Sequence, residues 1–435
     1  MRNLLVSLIL LGGASASGQN VLLNETFEST GGTAPPLGWS WTGSAPVYVP
    51  GTSGGFGISK ESYDLSAPPP PTNYSAPLFH PLPYDPSWLY RITGHMYVYG
   101  PGAATAAAGA ILCWMDLTTG TYVTSGNNIT SFSQFPNWEF KVGMYGTVPP
   151  NWLGPNAQFG IMLVCGVGTG NSYAAFDDIT VNYTLPWVGV QPRIWLDGAY
   201  EQGANLMRDD LRTAGLIPST EPYSAIYGGP GGETVAPSVL SVTGNNAIVD
   251  WVRLELRTSP TGPTVASAHG LLQRDGDVVS VDGFSALRLN TTAGLYHVVV
   301  RHRNHLAVMT ASALSMALFN TWTIDFRSPT TTCYTRPAPN TDLPRRAVGS
   351  TRTLWSGNVI ADDRVKYTGP SNDRDAVLQA IGGVTPTATL SGQYRLEDVN
   401  LDGVVKYTGA ANDRDVVLST IGGTTPTAVR LEQVP

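Results

Sequence analysis

Charged side chains are scarce in this chain, and no long run of basic residues is present. Asp, Glu, Lys and Arg together make up 13% of the 435 residues, and the formal net charge is −7. Proteins that bind nucleic acid through its phosphates need clustered Lys and Arg, so this composition excludes nucleic acid as the expected partner. The acidic excess favours cations as ligands instead.

Long apolar runs are also lacking beyond the amino terminus. The first residues follow the order of a secretory signal peptide, with Arg2, then the apolar stretch 4–11, then small residues over 12–18. This stretch is much shorter than the ~20 apolar residues that span a bilayer. We therefore expect residues 1–20 to be a cleaved signal peptide and the mature chain to be extracellular or on the cell surface, without a membrane span.

The sequence has three cysteines, Cys113, Cys165 and Cys333, which is too few for a disulfide framework. No two of them have the spacing of a redox or zinc motif. Cys113 and Cys165 each lie in an apolar, strand-like run. The sequence leaves open whether they form a disulfide or are two buried thiols.

Glycine and proline are abundant, with 48 and 33 residues. Together with frequent Thr, Ser and Val, they are typical of short strands joined by turns, so we predict a mainly β protein. Alternating stretches over 21–185 predict a first β-sandwich, and those over 188–327 predict an immunoglobulin-like sandwich with one helix at 205–214. The polar segment 328–349 has no periodicity and predicts a linker.

The carboxy-terminal region, 350–435, contains an internal repeat with an offset of 40 residues. Both copies contain the segments Val-Lys-Tyr-Thr-Gly, Asn-Asp-Arg-Asp and Ile-Gly-Gly. Each copy begins with amide and acidic side chains and ends in a short helical pattern, which lies at 413–421 in the second copy. The repeat therefore predicts two similar units of a loop followed by a helix.

The second copy has the ligand spacing of a calcium loop. Its oxygen donors recur at every second position and come from Asp398, Asn400, Asp402 and the Val404 carbonyl. Gly403 supplies the tight turn between them. Gly409 stands where a carboxylate usually closes such a loop. We expect Asp413 or Asp415, which follow a short insertion, to close it instead.

The first copy is a degraded version of this loop. Its candidate ligands are Asn358, Asp362, Arg364 at the position that corresponds to Val404, Asp373 and Asp375. Ile360 replaces an oxygen ligand, and Asp363 replaces the glycine of the turn, where a side chain is less easily accommodated. We predict that the first copy binds calcium weakly or not at all.

The duplicated loop and helix resembles a dockerin type I module, from which the inserted Tyr-Thr-Gly segment departs. The segments 207–212, 244–251, 273–277 and 300–306 are similar to the middle region of hemagglutinin-like and adhesin-like secreted proteins of gliding bacteria with the type IX export system. Together the resemblance covers 190–435. It implies an adhesin-like extracellular region followed by a small α-helical module with calcium as its cofactor.

Acidic residues mark both ends of the first sandwich, with Glu25 and Glu28 near its start and Asp177 and Asp178 near its end. These positions resemble the opening and closing strands of jelly-roll carbohydrate-binding and cleaved-adhesin modules. The resemblance implies that the first and last strands are neighbours and that the four carboxylates share a structural calcium. Most tryptophans of this region are expected in the core, and the others are candidates for stacking on sugar rings.

The sequence contains no motif for a nucleophilic elbow, a zinc hydrolase or a phosphate-binding loop. His302 and His305 are close in sequence, but residues three apart in an extended strand point to opposite faces, so they cannot share a metal without a bend. We expect a structural polar cluster at this strand end. We therefore predict a protein without catalytic activity.

The favoured function is that of a secreted, calcium-binding protein of the cell surface or extracellular matrix that acts in adhesion or carbohydrate binding. Its expected partners are calcium and either glycans or copies of itself. Two alternatives are open: a subunit that polymerises into extracellular filaments, and a dockerin-bearing component that docks on a cohesin scaffold.

Overall fold

The computed structural model describes residues 20–28, 38–41, 46–52, 56–61, 78–100, 103, 106–119, 121–151, 153–166, 172–228 and 231–435. Strands account for 44% and helices for 9%, which confirms the prediction of a mainly β protein. The predicted signal peptide lies outside the described residues, apart from Asn20. None of the helices in the described ranges is long and apolar enough to cross a membrane.

The chain divides into two compact units, Ser17–Pro186 and Trp187–Pro435, each of which is described by itself. The described part of the first unit has the strands β1 (Asn20–Glu25), β2 (Ser40–Trp41), β3 (Val47–Pro50), β4 (Phe56–Glu61), β5 (Leu78–Pro81), β6 (Leu89–Tyr99), β7 (Ala107–Asp116), β8 (Tyr122–Ser131), β9 (Glu139–Val142), β10 (Ala157–Gly166) and β11 (Tyr173–Thr184). One sheet has the order β3-β4-β11-β6-β9, with β1 beside β11, and the other has the order β2-β5-β10-β7-β8.

The two sheets of the first unit enclose one core, which makes this region a β-sandwich as predicted. Every second side chain of β6 points inward, where Ile92 and Met96 join Leu112 and Ile161 from the other sheet. The intervening side chains of β6 lie on the outer face of its sheet. The predicted pairing of the first and last strands is also present, since β1 runs antiparallel to β11.

Cys113 and Cys165 lie on different sides of the second sheet, and no disulfide joins them. Cys165 belongs to the core between the sheets, whereas Cys113 packs with Phe79 and Ile111 on the other side. Burial raises the pKa of the Cys113 thiol to about 12. The thiol alternative that the sequence left open is therefore the one the structure adopts.

The second unit contains the other strands and the helices. Its strands are β12 (Trp187–Arg193), β13 (Tyr200–Glu201), β14 (Leu206–Met207), β15 (Ile248–Arg257), β16 (Thr264–Gln273), β17 (Val278–Val279), β18 (Leu287–Asn290), β19 (Gly294–His302), β20 (His305–Met309), β21 (Leu314–Met316), β22 (Thr321–Asp325), β23 (Arg346–Val348), β24 (Thr351–Thr353), β25 (Arg364–Lys366), β26 (Thr389–Ser391), β27 (Val404–Lys406) and β28 (Val429–Leu431). Its helices are α1 (Asp210–Thr213), α2 (Tyr223–Tyr227), α3 (Pro237–Leu240), α4 (Asp373–Ala380) and α5 (Asp413–Thr420).

Two sheets form the body of the second unit. The larger has the order β17-β16-β15-β19-β20, with β21 beside β19, and the smaller has the order β18-β12-β22. Val190 of the smaller sheet and Leu254 and Val300 of the larger one belong to the same core. The predicted helix at 205–214 is shorter than expected, because β14 pairs with β13 and only the last part forms α1.

The two repeats are interlocked by their strands. β25 of the first copy pairs with β28, which follows the helix of the second copy, and β27 of the second copy pairs with β26, which follows the helix of the first. Val377 of α4 and Val417 of α5 share one core with Leu306 from β20. The repeats and the larger sheet thus pack within one compact unit.

The segment 328–349, predicted as a linker, makes specific contacts with both neighbours. Arg345 Nη1 donates to the Phe326 carbonyl at 2.5 Å, and Asn340 Nδ2 donates to Gln433 Oε1 at 2.5 Å. Asp342 forms an ion pair with Arg430 at 2.6 Å. A segment without hydrophobic periodicity is here held by polar side chains.

Candidate functional site

The outer face of the sheet that contains β6 carries a cluster of aromatic rings. The cluster, called the aromatic face below, consists of His95, Tyr97 and Tyr99 on β6, Tyr173 on β11, Phe140 on β9, and Phe135 and Trp138 just before β9. The ring centroids of Tyr97 and Trp138 lie 4.5 Å apart, and those of Tyr99 and Tyr173 lie 5.0 Å apart in a stacked arrangement. The rings form two contacting groups on this face, one of His95 with Phe140 and one centred on Tyr97 and Tyr99.

The aromatic face is anchored at its centre and exposed at its rim. Tyr97 is 3% exposed, and burial raises the pKa of its hydroxyl to about 12. Phe135 and Phe140 are 63% and 55% exposed, although both contact buried or half-buried rings of the cluster. Large apolar side chains that remain exposed in a contiguous group mark interaction sites on protein surfaces.

Polar groups adjoin the aromatic face where β11 contains a bulge. The register of β11 against β6 shifts after Asp177, and Asp178 has a φ of 51°. Thr52 donates its backbone N–H to Asp177 at 2.8 Å and its hydroxyl to Asp178 at 2.9 Å. His95 Nδ1 lies 3.2 Å from Asp178. Burial raises the pKa of Asp177, and the charge of Asp178 adds to this effect.

Glu25, another predicted ligand of a calcium in this unit, has partners near its own strand. Glu25 accepts the backbone N–H of Phe27 at 2.8 Å and the indole N–H of Trp39 at 3.1 Å. In the described part of the chain, neither Glu25 nor Glu28 belongs to a group of three His, Cys, Asp or Glu ligand atoms within 4.8 Å of one another. The structure thus brings Asp177 and Asp178 together at Thr52, while Glu25, opposite Ile179 in the pairing of β1 with β11, bonds to Phe27 and Trp39.

In the second unit, loop two (398–413) folds around its own acidic side chains. Asp398 is fully buried, and its two oxygens accept the backbone N–H groups of Asp402 at 3.1 Å and Gly403 at 2.9 Å. Asn400 Oδ1 accepts the Asp402 N–H at 2.9 Å, and Asp402 accepts the Val404 N–H at 2.9 Å. Gly403 has a φ of 82°, a conformation that favours glycine.

Asp413, rather than Asp415, is hydrogen-bonded to the backbone of loop two. It is the first residue of α5, is fully buried, and accepts the backbone N–H groups of Val399 at 2.9 Å and Lys406 at 2.8 Å. Asp415 instead accepts a hydrogen bond from Asn412 Nδ2 at 2.8 Å and pairs with Arg414. Asp415 therefore serves the helix start, where a negative charge is favourable.

The side chains of loop two offer the oxygen ligands and the negative charge that suit calcium. Burial raises the pKa of Asp413 to about 8, with the charge of Asp398 adding to this effect, and burial raises the pKa of Asp398 to about 6. Two buried carboxylates in one loop are costly to ionise without a cation. Asp398, Asn400, Asp402 and Asp413 all offer oxygen, the ligand that calcium prefers.

Loop one (358–373) has the same course with other partners. Asp373 accepts the backbone N–H groups of Val359 at 2.7 Å and Lys366 at 2.8 Å, and burial raises its pKa to about 6. Asn358 replaces the first aspartate, and its Nδ2 donates to the Asp362 carbonyl at 2.7 Å. Arg364 forms an ion pair with Asp363 at 2.6 Å. Asp375 repeats the role of Asp415 at the start of α4.

Sequence reasoning missed a buried group formed by Glu221, Glu233 and His269, whose ligand atoms lie within 4.8 Å of one another. His269 Nδ1 lies 2.9 Å from Glu233, and His269 Nε2 lies 3.2 Å from Arg253 Nη1. Glu221 accepts three backbone N–H groups. Because Arg253 adjoins the ring and backbone donors hold Glu221, the group is a hydrogen-bonded polar network, buried at Glu221 and His269 and half-buried at Glu233.

The prediction that His302 and His305 point to opposite faces is wrong. They pair across the turn of the β19–β20 hairpin, and their Nδ1 atoms lie 3.0 Å apart. His302 Nε2 lies 3.1 Å from Asp250, whose carboxylate also accepts from Arg303 at 3.0 Å. Burial lowers the pKa of both histidines. The cluster is a buried polar network between the larger sheet and the repeats.

The sequence contains the alternating pattern of the aromatic face, but this pattern alone does not show that the rings lie on an exposed face. His95, Tyr97 and Tyr99 alternate with apolar residues, which predicts a strand without telling which face is covered. Of the tryptophans, Trp39 is buried, while Trp88 and Trp114 pack against the core. Trp138 joins the aromatic face, and Trp152 lies outside the described residues.

No protein-family model and no curated protein matches the sequence. Among solved structures, the chain is similar to the CBM22-1 xylan-binding domain from Paenibacillus barcinonensis Xyn10C, with 13% identity, 39% of this chain and 97% of that chain covered, and a TM-score of 0.27. It is also similar to a family 16 carbohydrate-binding module (16% identity, 32% and 89% covered, TM-score 0.22) and to the Stig cyclase Fisc from Fischerella sp. TAU (11% identity, 39% and 99% covered, TM-score 0.26). Similarities of this size do not specify a ligand for this chain.

Proposed function

We propose that this chain is an extracellular, non-catalytic binding protein that holds a glycan on the aromatic face and calcium in loop two. The exposure of the Phe140 ring beside His95, which lies 3.2 Å from the Asp178 carboxylate, carries the glycan proposal. A sugar ring has an apolar side of C–H groups and a rim of hydroxyls. Aromatic rings suit the first, and the Asp178 carboxylate with the His95 imidazole suits the second.

The calcium proposal is supported by the donor set and burial of loop two. Its oxygen ligands, Asp398, Asn400, Asp402 and Asp413, come from two ends of one loop, so that a bound cation joins the loop to the start of α5. Calcium would supply charge compensation for the buried carboxylates, and the chain supplies the oxygens.

An adhesin-like role at the cell surface is proposed for the whole chain. It is supported by the signal-peptide pattern of 1–20 and by the resemblance of 190–435 to secreted adhesin-like proteins of gliding bacteria. In this proposal the first unit recognises the glycan, and the calcium-binding repeats strengthen the second unit outside the cell.

Glycan binding is tested by comparing the mature chain with its Phe140→Ala variant on a panel of immobilised neutral and acidic oligosaccharides. The exposed ring contributes stacking area without supporting the core, so we expect binding to fall about tenfold with unchanged thermal stability. The matched control is Phe284→Ala, which removes a 75% exposed ring in the other unit. Equal binding by both variants and the wild type would contradict the proposal.

A second function, assembly into filaments, is favoured by β9. This strand is the last in its sheet and carries the exposed side chains of Phe140 and Val142. Exposed apolar edge strands can add a strand from another chain. Electron microscopy of the mature chain in calcium should then show fibres that Val142→Lys disperses. Single particles for the wild type at all concentrations would exclude this function.

A further inference from the structure

The turn of the β19–β20 hairpin lies between the two loops and bonds to the first residue of each. The Asn304 carbonyl accepts the backbone N–H groups of Gly357 at 3.0 Å and Asn358 at 3.1 Å, where loop one begins. Asn304 Nδ2 donates to the carbonyls of Leu396 at 3.0 Å and Asp398 at 2.7 Å, where loop two begins. One fully buried turn residue thus contacts both loops, loop one through its backbone carbonyl and loop two through its side chain.

A second side chain from the body of the unit holds loop two. Arg208 Nη2 donates to the Asn400 carbonyl at 2.6 Å and to the Gly198 carbonyl at 2.9 Å. Gly198 itself lies so close to loop two that an added Cβ would collide with the Val399 carbonyl oxygen. The loop is therefore seated directly on backbone of the body, at a position where only glycine fits.

Three consecutive carbonyls of loop two are held from outside the loop. Asn304 bonds to the carbonyl of Asp398, Ser356 Oγ donates to that of Val399 at 2.6 Å, and Arg208 bonds to that of Asn400. Asp398 and Asn400 are the first two ligands in the proposed calcium site. Fixing the backbone of a ligand-bearing segment before the ion arrives lowers the ordering cost of binding.

We propose that Asn304 and Arg208 are positioning residues for calcium, so that the affinity of loop two is a property of the whole second unit. This inference rests on the proposed calcium function. Coupling is reciprocal by thermodynamic necessity: if the body favours the ion-binding form of the loop, the bound ion stabilises the body. Calcium in loop two therefore protects the larger sheet, although none of its strands supplies a ligand.

The first experiment measures calcium affinity of the full mature chain by calorimetry, with terbium luminescence as a second readout. We expect Asn304→Ala and Arg208→Lys each to weaken binding about 3- to 10-fold, the size of one lost buried hydrogen bond, with unchanged stoichiometry. Arg208→Lys keeps the positive charge. A change in the repulsion between this side chain and calcium therefore does not contribute to the change in affinity. Arg212→Lys, which alters an ion pair with Asp209 outside the loop, is the matched control and should bind like the wild type.

Ser356→Ala covers the case in which Asn304→Ala fails to fold, since it removes the bond to Val399 with almost no change in volume. Hydrogen exchange supplies the reciprocal test: chelation should raise exchange in β15 and β19, while β6 and β11 of the first unit stay unchanged. The inference is overturned if the wild type and all variants bind calcium equally well and chelation leaves hydrogen exchange in β15 and β19 unchanged. A wild type that binds no calcium overturns the proposed calcium function itself.

Discussion

The two repeats have the same architecture but differ in the charge of the first residue of their loops. Both run from a loop through a three-residue strand into an eight-residue helix, whose first aspartate accepts backbone N–H groups of the loop. In loop two, Asp413 shares the interior with the carboxylate of Asp398, whereas in loop one the corresponding partner of Asp373 is the neutral amide of Asn358. A carboxylate can only accept hydrogen bonds, but an amide both donates and accepts.

This difference decides what cross-links the first half of each loop. Asn358 donates to the Asp362 carbonyl at 2.7 Å and accepts the Asp362 N–H at 3.1 Å, so this part of loop one is cross-linked by a neutral side chain. Asp398 accepts on both oxygens, and its pKa is still raised by burial although the positive charge of Arg303 offsets part of this effect. A loop of this course can therefore keep its shape without an acidic first residue, because the Asn358 amide supplies the cross-link.

The largest expected effect comes from removing the closing carboxylate of each loop in turn. Asp413→Asn should weaken calcium binding about 100-fold or more, on the order of 3 kcal/mol, because it removes a buried ligand charge. Asp373→Asn should leave calcium affinity unchanged. Calorimetry on the full chain measures both, and equal losses in the two variants would show that loop one is also a calcium site.

A gain of binding is the next largest effect. The triple change Asn358→Asp, Ile360→Asn and Asp363→Gly gives loop one the ligand types and the turn glycine of loop two. Native mass spectrometry should then count two calcium ions per chain in place of one. A count that stays at one would mean that the partners of Asp363, Arg336 and Arg364, determine the difference between the loops.

The pH dependence should also separate the metal-free and calcium-bound forms. Without calcium, the pKa values of Asp398 and Asp413 lie at about 6 and about 8, above those of the unfolded chain, so the folded state holds extra protons. Raising the pH through this range removes them and lowers stability. Melting temperatures in chelator should fall by several degrees from pH 6 to pH 8 but stay level in calcium. A level chelator curve would count against burial of both carboxylates.

The smallest effect should be equal in the two copies. Asp375→Ala and Asp415→Ala each remove an acidic group from the first turn of a helix, where it contributes about 0.5 to 1 kcal/mol. Thermal melts in saturating calcium should therefore show similar small decreases for both. A much larger decrease for Asp415→Ala would assign it a role in the ion site that Asp375 lacks.

The sequence allowed the strands of the first sandwich and the helices of the repeats to be predicted, because both depend on local patterns. Alternation located β6, and the run from Asp413 located α5 to within one residue. Which aspartate closes loop two was open, since Asp413 and Asp415 differ only in their place on the first helical turn. That choice is made by the tertiary fold, which buries one and leaves the other at the surface.

The turn at Arg303 and Asn304 could not be predicted, because it contains neither glycine nor proline. Its geometry is stabilised by distant partners: Asp250 binds Arg303, and the first residues of both loops bind Asn304. The aromatic face could not be predicted from the sequence for a related reason. A period of two separates the sides of a strand, but only the complete fold determines which side a second sheet covers.

The crossed pairing of β25 with β28 and of β26 with β27 limits how the repeats can be deleted or transferred to another protein. Each two-stranded sheet takes one strand from either repeat, so deleting one copy would remove half of both sheets and one of the two packed helices. The repeat is 40 residues long in sequence. The smallest piece that can be transplanted to another protein or lost without damage is nevertheless the pair.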